Sequence, residues 1–442
     1  MTVINPTWAS SEAYRCLMCN DAPCFSGCPA GVNPRKFIRK IRFGNLAGAV
    51  RLIRTANILA GSCSYICPCL STCSGKCTSD KLDRPIDIIG LQRYVCEWER
   101  TNGMIKPLPG TKTGKRVAVI GSGPAGLACA AELAVRGHVP VVFDEAGEAG
   151  GMLRQVIPDF RLPREMLDFE IDIIRALGVE FQLGVKVDDA NKLLSDGFSA
   201  VFIGTGVGLA KKAGLTGEDK PGVFQALDFL RAAKKGAVEL PADKRAVVIG
   251  GGDTAIDAAR VLKRAGCRVM MVYRRTRADM PAYRPDIAIA EQEGIEIIFN
   301  TVVRSITGTD GVQGVRCVRV RWSEAGRVST GYSVEGNEFP IPCGIVVQAT
   351  GQEPGTLFDL RTSPKNYIAV DHKMMTSTPG IFAGGDIVSG PATAVEAVAQ
   401  GKLAAGFVDE YLGTSEKRYN RHSDGSRNPA LSTSSGPRRS PG

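Results

Sequence analysis

Histidine is scarce in this chain: only His138, His372 and His422 occur in 442 residues. That argues against a hydrolase built on a histidine-dependent nucleophile and against a histidine-rich metal site. Long apolar runs are also missing. The longest charge-free stretch, residues 55–75, carries four Cys, four Ser, Asn57 and Pro68, which no membrane-spanning helix would hold. The opening MTVINPTWASSEAYRC has no charged start followed by an apolar core, so no secretory signal is read and a cytoplasmic location is expected. The net charge of +10 comes without a basic stripe interleaved with stacking aromatics, so neither a nucleic acid nor a membrane is an expected partner. Part of that charge sits in residues 413–442, where six Lys/Arg face two Asp/Glu and the apolar residues are Tyr419, Ala430 and Leu431. Such a segment buries too little surface to offset its ordering entropy and reads as a disordered tail.

What is present is glycine, 51 residues of it, and an uneven supply of cysteine. Ten of the fourteen cysteines fall at 16, 19, 24, 28, 63, 67, 69, 73, 77 and 96. The first group reads Cys16-x2-Cys19-x4-Cys24-x3-Cys28-Pro29, and the second contains Cys67-x5-Cys73-x3-Cys77. Disulfides suit small secreted domains, structural zinc favours paired C-x2-C knuckles, and iron–sulfur ligation uses closely spaced thiolates with runs ending in C-x3-C-P. The spacing favours iron–sulfur over zinc, with disulfides last. Phe37, Ile38 and Ile41 recur at helical spacing among Arg35, Lys36, Arg39 and Lys40, either a solvated helix face or cations that offset cluster charge. Residues 37–53 and 88–98 read as short amphipathic helices.

An internal repeat dominates the remainder. Residues 115–137 (KRVAVIGSGPAGLACAAELAVRG) align without gaps to residues 244–266 (KRAVVIGGGDTAIDAARVLKRAG), identical at nine of twenty-three positions. Each copy reads as strand, glycine turn, helix and second strand, a βαβ unit for a dinucleotide. Gly121 and Gly250 make the tight turn, Gly123 and Gly252 admit a pyrophosphate, and Gly126 or Ala255 lets the helix pack on the strand. Pro124, Ala125, Asp253 and Thr254 open the two helices. At the end of the second strand the first copy places Asp144, 23 residues after Gly121, where an acid accepts ribose hydroxyls. The same offset in the second copy gives Tyr273, then Arg274, Arg275 and, close by, Arg277. Those cations suit a 2′-phosphate or simply cover a strand end; the first reading makes the second site one for NADPH.

Two different dinucleotide sites in one chain imply a flavoprotein, with FAD in the first and nicotinamide in the second. Ala349-Thr350-Gly351 follows an apolar strand, and IFAGGD ends in Gly385-Asp386 ahead of a helical run from Ala394, preceded by Thr393. The expected fold class is α/β: an N-terminal α-helical iron–sulfur domain, then a two-dinucleotide-binding-domain flavoprotein in which the NADPH domain is inserted into the FAD domain. The expected boundaries are 1–110 for the iron–sulfur domain, 111–206 and 347–412 for the FAD domain, 207–346 for the NAD(P)H domain and 413–442 for the tail.

At this point the chain resembles a known family over residues 12–412. It is similar to the NAD(P)H-oxidising flavin and iron–sulfur part of dihydropyrimidine dehydrogenase and to the small subunit of glutamate synthase. The matching segments are RCLMCNDAPCFSGCPA, ICPCLSTCSGKC, PIDIIGLQR, PGTKTGKRVAVIGSGPAG, GGML (with Gly151), IPDFRLP, VIGGGDTAID, VYRR and IFAGGDIV. The resemblance implies two [4Fe-4S] clusters, one held by Cys16, Cys19, Cys24 and Cys77, the other by Cys28, Cys67, Cys73 and Gln92. It implies that Arg161 and Asp386 contact FAD and that Asp253, Thr254, Arg274 and Arg275 hold NADPH. Cys63 and Cys69 are left as spare thiols, and Cys69 departs from the family pattern, which leaves a ligand exchange among Cys67, Cys69 and Cys73 open.

The implied activity is hydride transfer from NADPH to FAD, followed by single-electron steps through the clusters to a partner, with no catalytic acid–base pair. The residues at hand hold neither a pyrimidine-reducing barrel nor an N-terminal nucleophile for glutamine hydrolysis. A substrate-converting partner subunit is therefore expected, a flavin barrel or a glutamate synthase large subunit, and a hetero-oligomer with it. A ferredoxin-serving subunit and a flavin-binding redox sensor are the rival readings. A disulfide reductase is disfavoured, because Cys267 and Cys317 stand alone rather than in a Cys-x-x-Cys pair.

Overall fold

The structure, a computed structural model, describes residues 4–105, 108–238, 244–322 and 332–413; the tail expected to be disordered lies, beyond Gly413, outside the described residues. The N-terminal part is helical: α1 (Pro6–Arg15), α2 (Pro23–Ser26), α3 (Pro34–Arg42), α4 (Leu46–Ala56), α5 (Ala60–Ile66) and α6 (Ile88–Asn102). Local chemistry sets their starts. Asn5, Asn33, Asn45 and Asp87 each accept a hydrogen bond from a first-turn amide, and proline occupies the first positions of α1, α2 and α3. Phe37, Ile38, Ile41, Ile53, Leu91 and Val95 form the shared core of these helices. The basic residues of α3 lie on its other side, and Arg42 turns back to donate to the carbonyls of Ala13 and Tyr14.

The first βαβ unit follows as β1 (Arg116–Ile120), α7 (Pro124–Val135) and β2 (Val139–Asp144). After α8 (Met152–Gln155) and α9 (Arg164–Ala176) come β3 (Glu180–Leu183), α10 (Ala190–Ser195) and β4 (Ala200–Ile203). A short β5 (Leu209–Ala210) then leads away to β6 (Val223–Gln225) and α11 (Ala226–Lys234). The second unit is β7 (Arg245–Ile249), α12 (Asp253–Arg264) and β8 (Arg268–Val272), followed by α13 (Arg284–Gln292) and β9 (Glu296–Ile298). Strands β10 (Thr301–Thr307), β11 (Gly314–Trp322) and β12 (Tyr332–Pro342) form an antiparallel meander. Finally β13 (Ile345–Gln348), β14 (Gln352–Glu353), β15 (Ile381–Ala383), α14 (Asp386–Ser389) and α15 (Ala394–Tyr411) bring the chain back.

Two parallel five-stranded sheets result, ordered β15-β4-β1-β2-β3 and β6-β13-β7-β8-β9. Their inner strands β1, β4, β7 and β13 are apolar and rich in β-branched residues because helices cover them, as α7 and α15 cover β1 and β4. The chain passes between the two units twice, through β5 outward and β14 back, and these two strands pair antiparallel with Leu209 opposite Glu353. The meander packs on one face of the second sheet, where Val247, Val272 and Val346 meet Val303, Val315 and Ile341.

The helical unit is tied to the first sheet by one buried acid. Glu170 on α9 accepts from the amides of Gly61 and Ser62 at the start of α5, at 2.6 and 2.9 Å, and pairs with Arg54. Glu170 is wholly buried, and removing one partner from such a buried pair costs about 3–5 kcal/mol because the other charge is stranded. Lys402 on α15 reaches back to the Thr55 carbonyl at 3.3 Å. Among the described residues no helix is long and apolar enough to cross a membrane.

Candidate functional site

The first glycine turn opens a cavity of about 490 Å³ at the carboxyl ends of β1 and β4. Gly121 adopts φ +98°, and a Cβ on Gly126 would stand 1.8 Å from the Gly121 carbonyl oxygen, so neither position admits a side chain. Gly123, Pro124, Ala125, Asp144, Gly151, Arg161, Asp386 and Thr393 line the cavity, so these expected residues converge from separate segments of the chain. Gly385 stays out of the lining; it caps α14 at φ +80°, and its amide donates to Gln400 Oε1 at 2.7 Å. Asp144 is held by the Ser122 amide and hydroxyl at 2.7 and 2.6 Å and by the Ala146 amide at 2.9 Å. This fixes its carboxylate at the edge where a ribose would lie. Asp386 Oδ1 is buried without a hydrogen-bond partner among the described residues. Burial, with Glu396 adding to it, pushes its carboxyl up to about 7.

The second glycine turn borders a cavity of about 840 Å³. Gly250, Gly252, Thr254, Ala255, Arg274, Arg275 and Gly351 all line it. A Cβ on Gly252 would meet no protein atom within 4 Å, so the missing side chain keeps open space for a ligand rather than relieving a clash. Arg274 and Arg275 are stacked over the Trp322 ring at 5.9 and 5.1 Å, and the indole N–H donates to the Arg274 carbonyl. Arg277 stands apart, paired with Glu291. Asp253, expected at this nucleotide, instead borders the first cavity, where it accepts from the Tyr283 amide at 3.0 Å and lies 3.6 Å from Arg161. Arg161 borders the first cavity too, but its two terminal nitrogens are engaged by Asp257 and Asp286, each at 2.8 Å. The two cavities meet at Gly252, Thr254, Pro281, Gln352 and Pro391.

The N-terminal thiols fall into two groups. Burial first, then Cys77, Cys16 and Cys19, pushes the Cys24 thiol up to about 11, so these four sulfurs are neighbours. Burial and then Cys67, Cys28 and Cys69 push Cys73 up to about 12. Cys28, Cys63, Cys67, Cys73 and Gln92 border one small cavity. Gln92 is 5% exposed and donates its Nε2 to the Ala60 carbonyl at 2.7 Å, which leaves its oxygen as the electron-pair donor for a metal. Cys69 neighbours this group without bordering the cavity, its sulfur 3.0 Å from Tyr283 Oη. Among the described residues no three His, Cys, Asp or Glu side chains are set for a single metal ion, and no disulfide forms. Sulfur donors in two groups of four or five suit iron–sulfur clusters better than isolated zinc.

Comparison with known proteins decides the family. Residues 115–401 match the family described as pyridine nucleotide-disulphide oxidoreductase, and residues 2–104 match dihydropyrimidine dehydrogenase domain II, 4Fe-4S cluster. The chain belongs to the pyridine nucleotide-disulphide oxidoreductase family. This oxidoreductase is 36% identical to the NAD-dependent dihydropyrimidine dehydrogenase subunit PreT of Escherichia coli, over 91% of this chain and 94% of that protein. It is 34% identical to the glutamate synthase [NADPH] small chain of Halomonas elongata, over 92% and 91% of the two chains. It is 37% identical to the NADP(+)-dependent formate dehydrogenase subunit beta of Moorella thermoacetica, of which it spans only 60% against 88% of itself. A solved structure of Mycobacterium tuberculosis FprA in complex with NADPH shares the fold, with a TM-score of 0.58 at 18% identity, covering 70% of this chain and 88% of that one.

The chain is thus an NAD(P)H-dependent flavoprotein oxidoreductase with an iron–sulfur domain, and the family resemblance read from its motifs holds. Among the described residues no cysteine pair of the kind a disulfide reductase needs lines the first cavity. Cys267 and Cys317 are both buried, and Cys317 neighbours Cys343 inside the meander. Cys96, Cys129 and Cys343 are likewise packed in cores. Trp322, Glu170 and Tyr283 carry parts of the site that the motifs did not announce.

Asp386 gives the first cavity a pH signature. Its carboxyl ionises less readily in the fold than in the unfolded chain, so in the apoprotein the stability linked to it is present at low pH and lost as pH rises toward about 7. Hydroxyl donors of an FAD bound there would offset that loss. FAD affinity of the apoprotein is expected to rise between about pH 6 and pH 8, and Asp386→Asn to flatten the profile. An unchanged slope in the asparagine variant, measured by flavin fluorescence quenching, would place the titrating group elsewhere.

Proposed function

We propose that this chain oxidises NADPH and passes its electrons, one at a time, to a partner subunit that reduces uracil or thymine, as a dihydropyrimidine dehydrogenase component. The observation that supports the electron path is the joining of the two cavities at Thr254 and Gln352, with Ile66 and Pro68, the neighbours of Cys67, lining the first of them. Bound there, FAD would take up a hydride and two [4Fe-4S] clusters would carry single electrons onward. The chain's own residues position and insulate. Gly121, Gly123 and the start of α7 receive the flavin pyrophosphate, with Asp144 on its ribose and Asp386, Thr393 and Gly151 around the remainder. Thr254 and the start of α12 receive the NADPH pyrophosphate, and Ala349-Thr350-Gly351 closes the cavity beside it.

Ile66 and Pro68 line the flavin cavity on either side of Cys67, so Cys67 offers the shortest route from flavin to the inner group of Cys28, Cys67, Cys73 and Gln92. Cys24 and Cys28, four residues apart, link that group to the outer one of Cys16, Cys19, Cys24 and Cys77. Electrons would leave from the outer group. Labile clusters and reduced thiols suit a cytoplasmic setting.

The second reading makes the partner a glutamate synthase large subunit. VYRRTRADMP favours it, as does the Halomonas elongata relative. Anaerobic capture of the chain from its own cells separates the two. A co-purifying flavin-barrel subunit that reduces uracil or thymine with NADPH supports the first; one that forms glutamate from glutamine and 2-oxoglutarate overturns it in favour of the second. A ferredoxin as the captured partner would dismiss both.

The choice of NADPH over NADH rests on the stacked arginines. Replacing Arg274 and Arg275 by Ala is expected to weaken NADPH binding by about 1–3 kcal/mol and to spare NADH, because the lost bonds are charge-assisted bonds to the 2′-phosphate. Equal weakening of both cofactors in a binding titration would remove that assignment. Trp322→Ala is expected to reproduce part of the loss by freeing both guanidinium groups from the indole.

A further inference from the structure

Strand β13 reads Ile345-Val346-Val347-Gln348, three apolar residues and then an amide at the end of a buried strand. Its neighbour β6 also ends in glutamine, and Gln348 stands opposite Gln225 in the parallel register. Residues so paired share a face of the sheet. Gln348 is 1% exposed, yet neither its Oε1 nor its Nε2 has a hydrogen-bond partner among the described residues. Gln225 Oε1 beside it is also buried and unpartnered. Native interiors hold few such atoms, and packing alone would be served by Leu or Val at either position. Three orphaned amide atoms at adjacent strand ends therefore ask for a ligand, and Gln348 borders the nicotinamide cavity.

The order of strands says which part of the ligand lies there. Arg274 and Arg275 follow β8, the glycine turn follows β7, and β13 and β6 lie on the other side of β7. A dinucleotide with its 2′-phosphate on the arginines and its pyrophosphate at the start of α12 crosses β7 at the point where strand order reverses. Its nicotinamide riboside half then lies over the end of β13. Four residues beyond Gln348, Gln352 frames the opening into the flavin cavity. We infer that Gln348, backed by Gln225, binds the nicotinamide riboside half of NADPH, its carboxamide offering the donor and acceptor that this half requires. The inference rests on reading the second cavity as the NADPH site.

The test is a binding titration of the anaerobic holoprotein with NADP+ and with adenosine 2′,5′-bisphosphate, which carries the 2′-phosphate but no nicotinamide riboside. Gln348→Leu is expected to weaken NADP+ by about 10-fold to 100-fold and to leave the bisphosphate within about twofold. Thermal stability should stay equal or rise, since the variant removes unpaired buried groups. Gln225→Leu should weaken NADP+ by a smaller factor, again without touching the bisphosphate. Unchanged NADP+ affinity in Gln348→Leu, or equal weakening of both ligands, overturns the inference. If wild-type protein binds neither ligand, the reading of the second cavity fails first. Should the leucine variant lose its flavin or its fold, Gln348→Met poses the same question with a flexible side chain.

Discussion

Cys67→Ser is expected to halve the iron of the anaerobically purified chain, from about eight atoms to about four, and to stop electron delivery beyond the flavin. The thiol lies at the end of α5 where the backbone turns extended, between Ile66 and Pro68 on the flavin side and the cavity of Cys28, Cys73 and Gln92 on the other. A serine oxygen is a poor replacement for a thiolate in a cluster. NADPH should still bleach the flavin fully, because nothing in the two nucleotide cavities is altered. Reduction of the captured partner should fall by at least about 100-fold. The helical unit should also lose stability, since ligand binding and folding are one process in small metal domains. Cys69→Ser is the matched control. Its sulfur faces Tyr283 rather than the inner cavity, so iron should remain at about eight. If Cys69→Ser loses iron as Cys67→Ser does, the ligand set is exchanged and the inner group must be redrawn.

The legible part of this protein was the part that local chemistry decides. A glycine turn between a β-branched strand and a helix needs only its own dozen residues, so both βαβ units could be read directly, and Arg274 and Arg275 followed from a fixed offset. The sharing of thiols between two groups could not be read that way. Spacing says that Cys24 and Cys28 are near, but only the folded chain puts Cys77 with the first three cysteines and Cys28 with the later ones. Trp322 escaped notice for a similar reason. It lies 47 residues after Arg275, and only the pairing of the meander with the second sheet brings its ring under the guanidinium groups. Glu170 carries no motif of its own, and only the packing of α9 on α5 brings its carboxylate to the amides of Gly61 and Ser62. Asp253 shows the opposite case: its motif position pointed to the nucleotide, while Arg161, nearly a hundred residues earlier, draws it to the flavin side.

Arg161 marks the second large effect, through the segment that contains it. Residues 157–161 leave the first unit and lie across the helices of the second. Lys234 on α11 donates to the Ile157 carbonyl at 2.6 Å and pairs with Asp159 at 2.8 Å. Arg260 and Arg264 on α12 stack on the Phe160 ring at 4.8 and 4.2 Å. Arg161 itself then grips Asp257 on α12 and Asp286 on α13. Its side chain is 10% exposed and that of Asp257 5%, so this is a buried pair rather than a surface contact. Burial pushes the Asp257 carboxyl up to about 6, with Arg161 pulling the other way. Removing the arginine would leave the buried Asp257 without its paired cation, at a cost of about 3–5 kcal/mol.

The functional cost should exceed the structural one. Hydride transfer requires the nicotinamide within about 3–3.5 Å of its acceptor, and a displacement of 1 Å costs about 100-fold. Arg161→Met is therefore expected to slow NADPH-dependent bleaching of the flavin by about 10-fold to 100-fold, while bound FAD and its reduction by dithionite remain as in the wild type. Adding Asp257→Asn should recover thermal stability without recovering the rate, because it removes the stranded charge but does not rebuild the grip. Loss of FAD from Arg161→Met would instead make the arginine a flavin ligand, as the family resemblance implied. A rate equal to wild type would mean that β5, β14 and the Phe160 stack suffice to hold the two cavities in line.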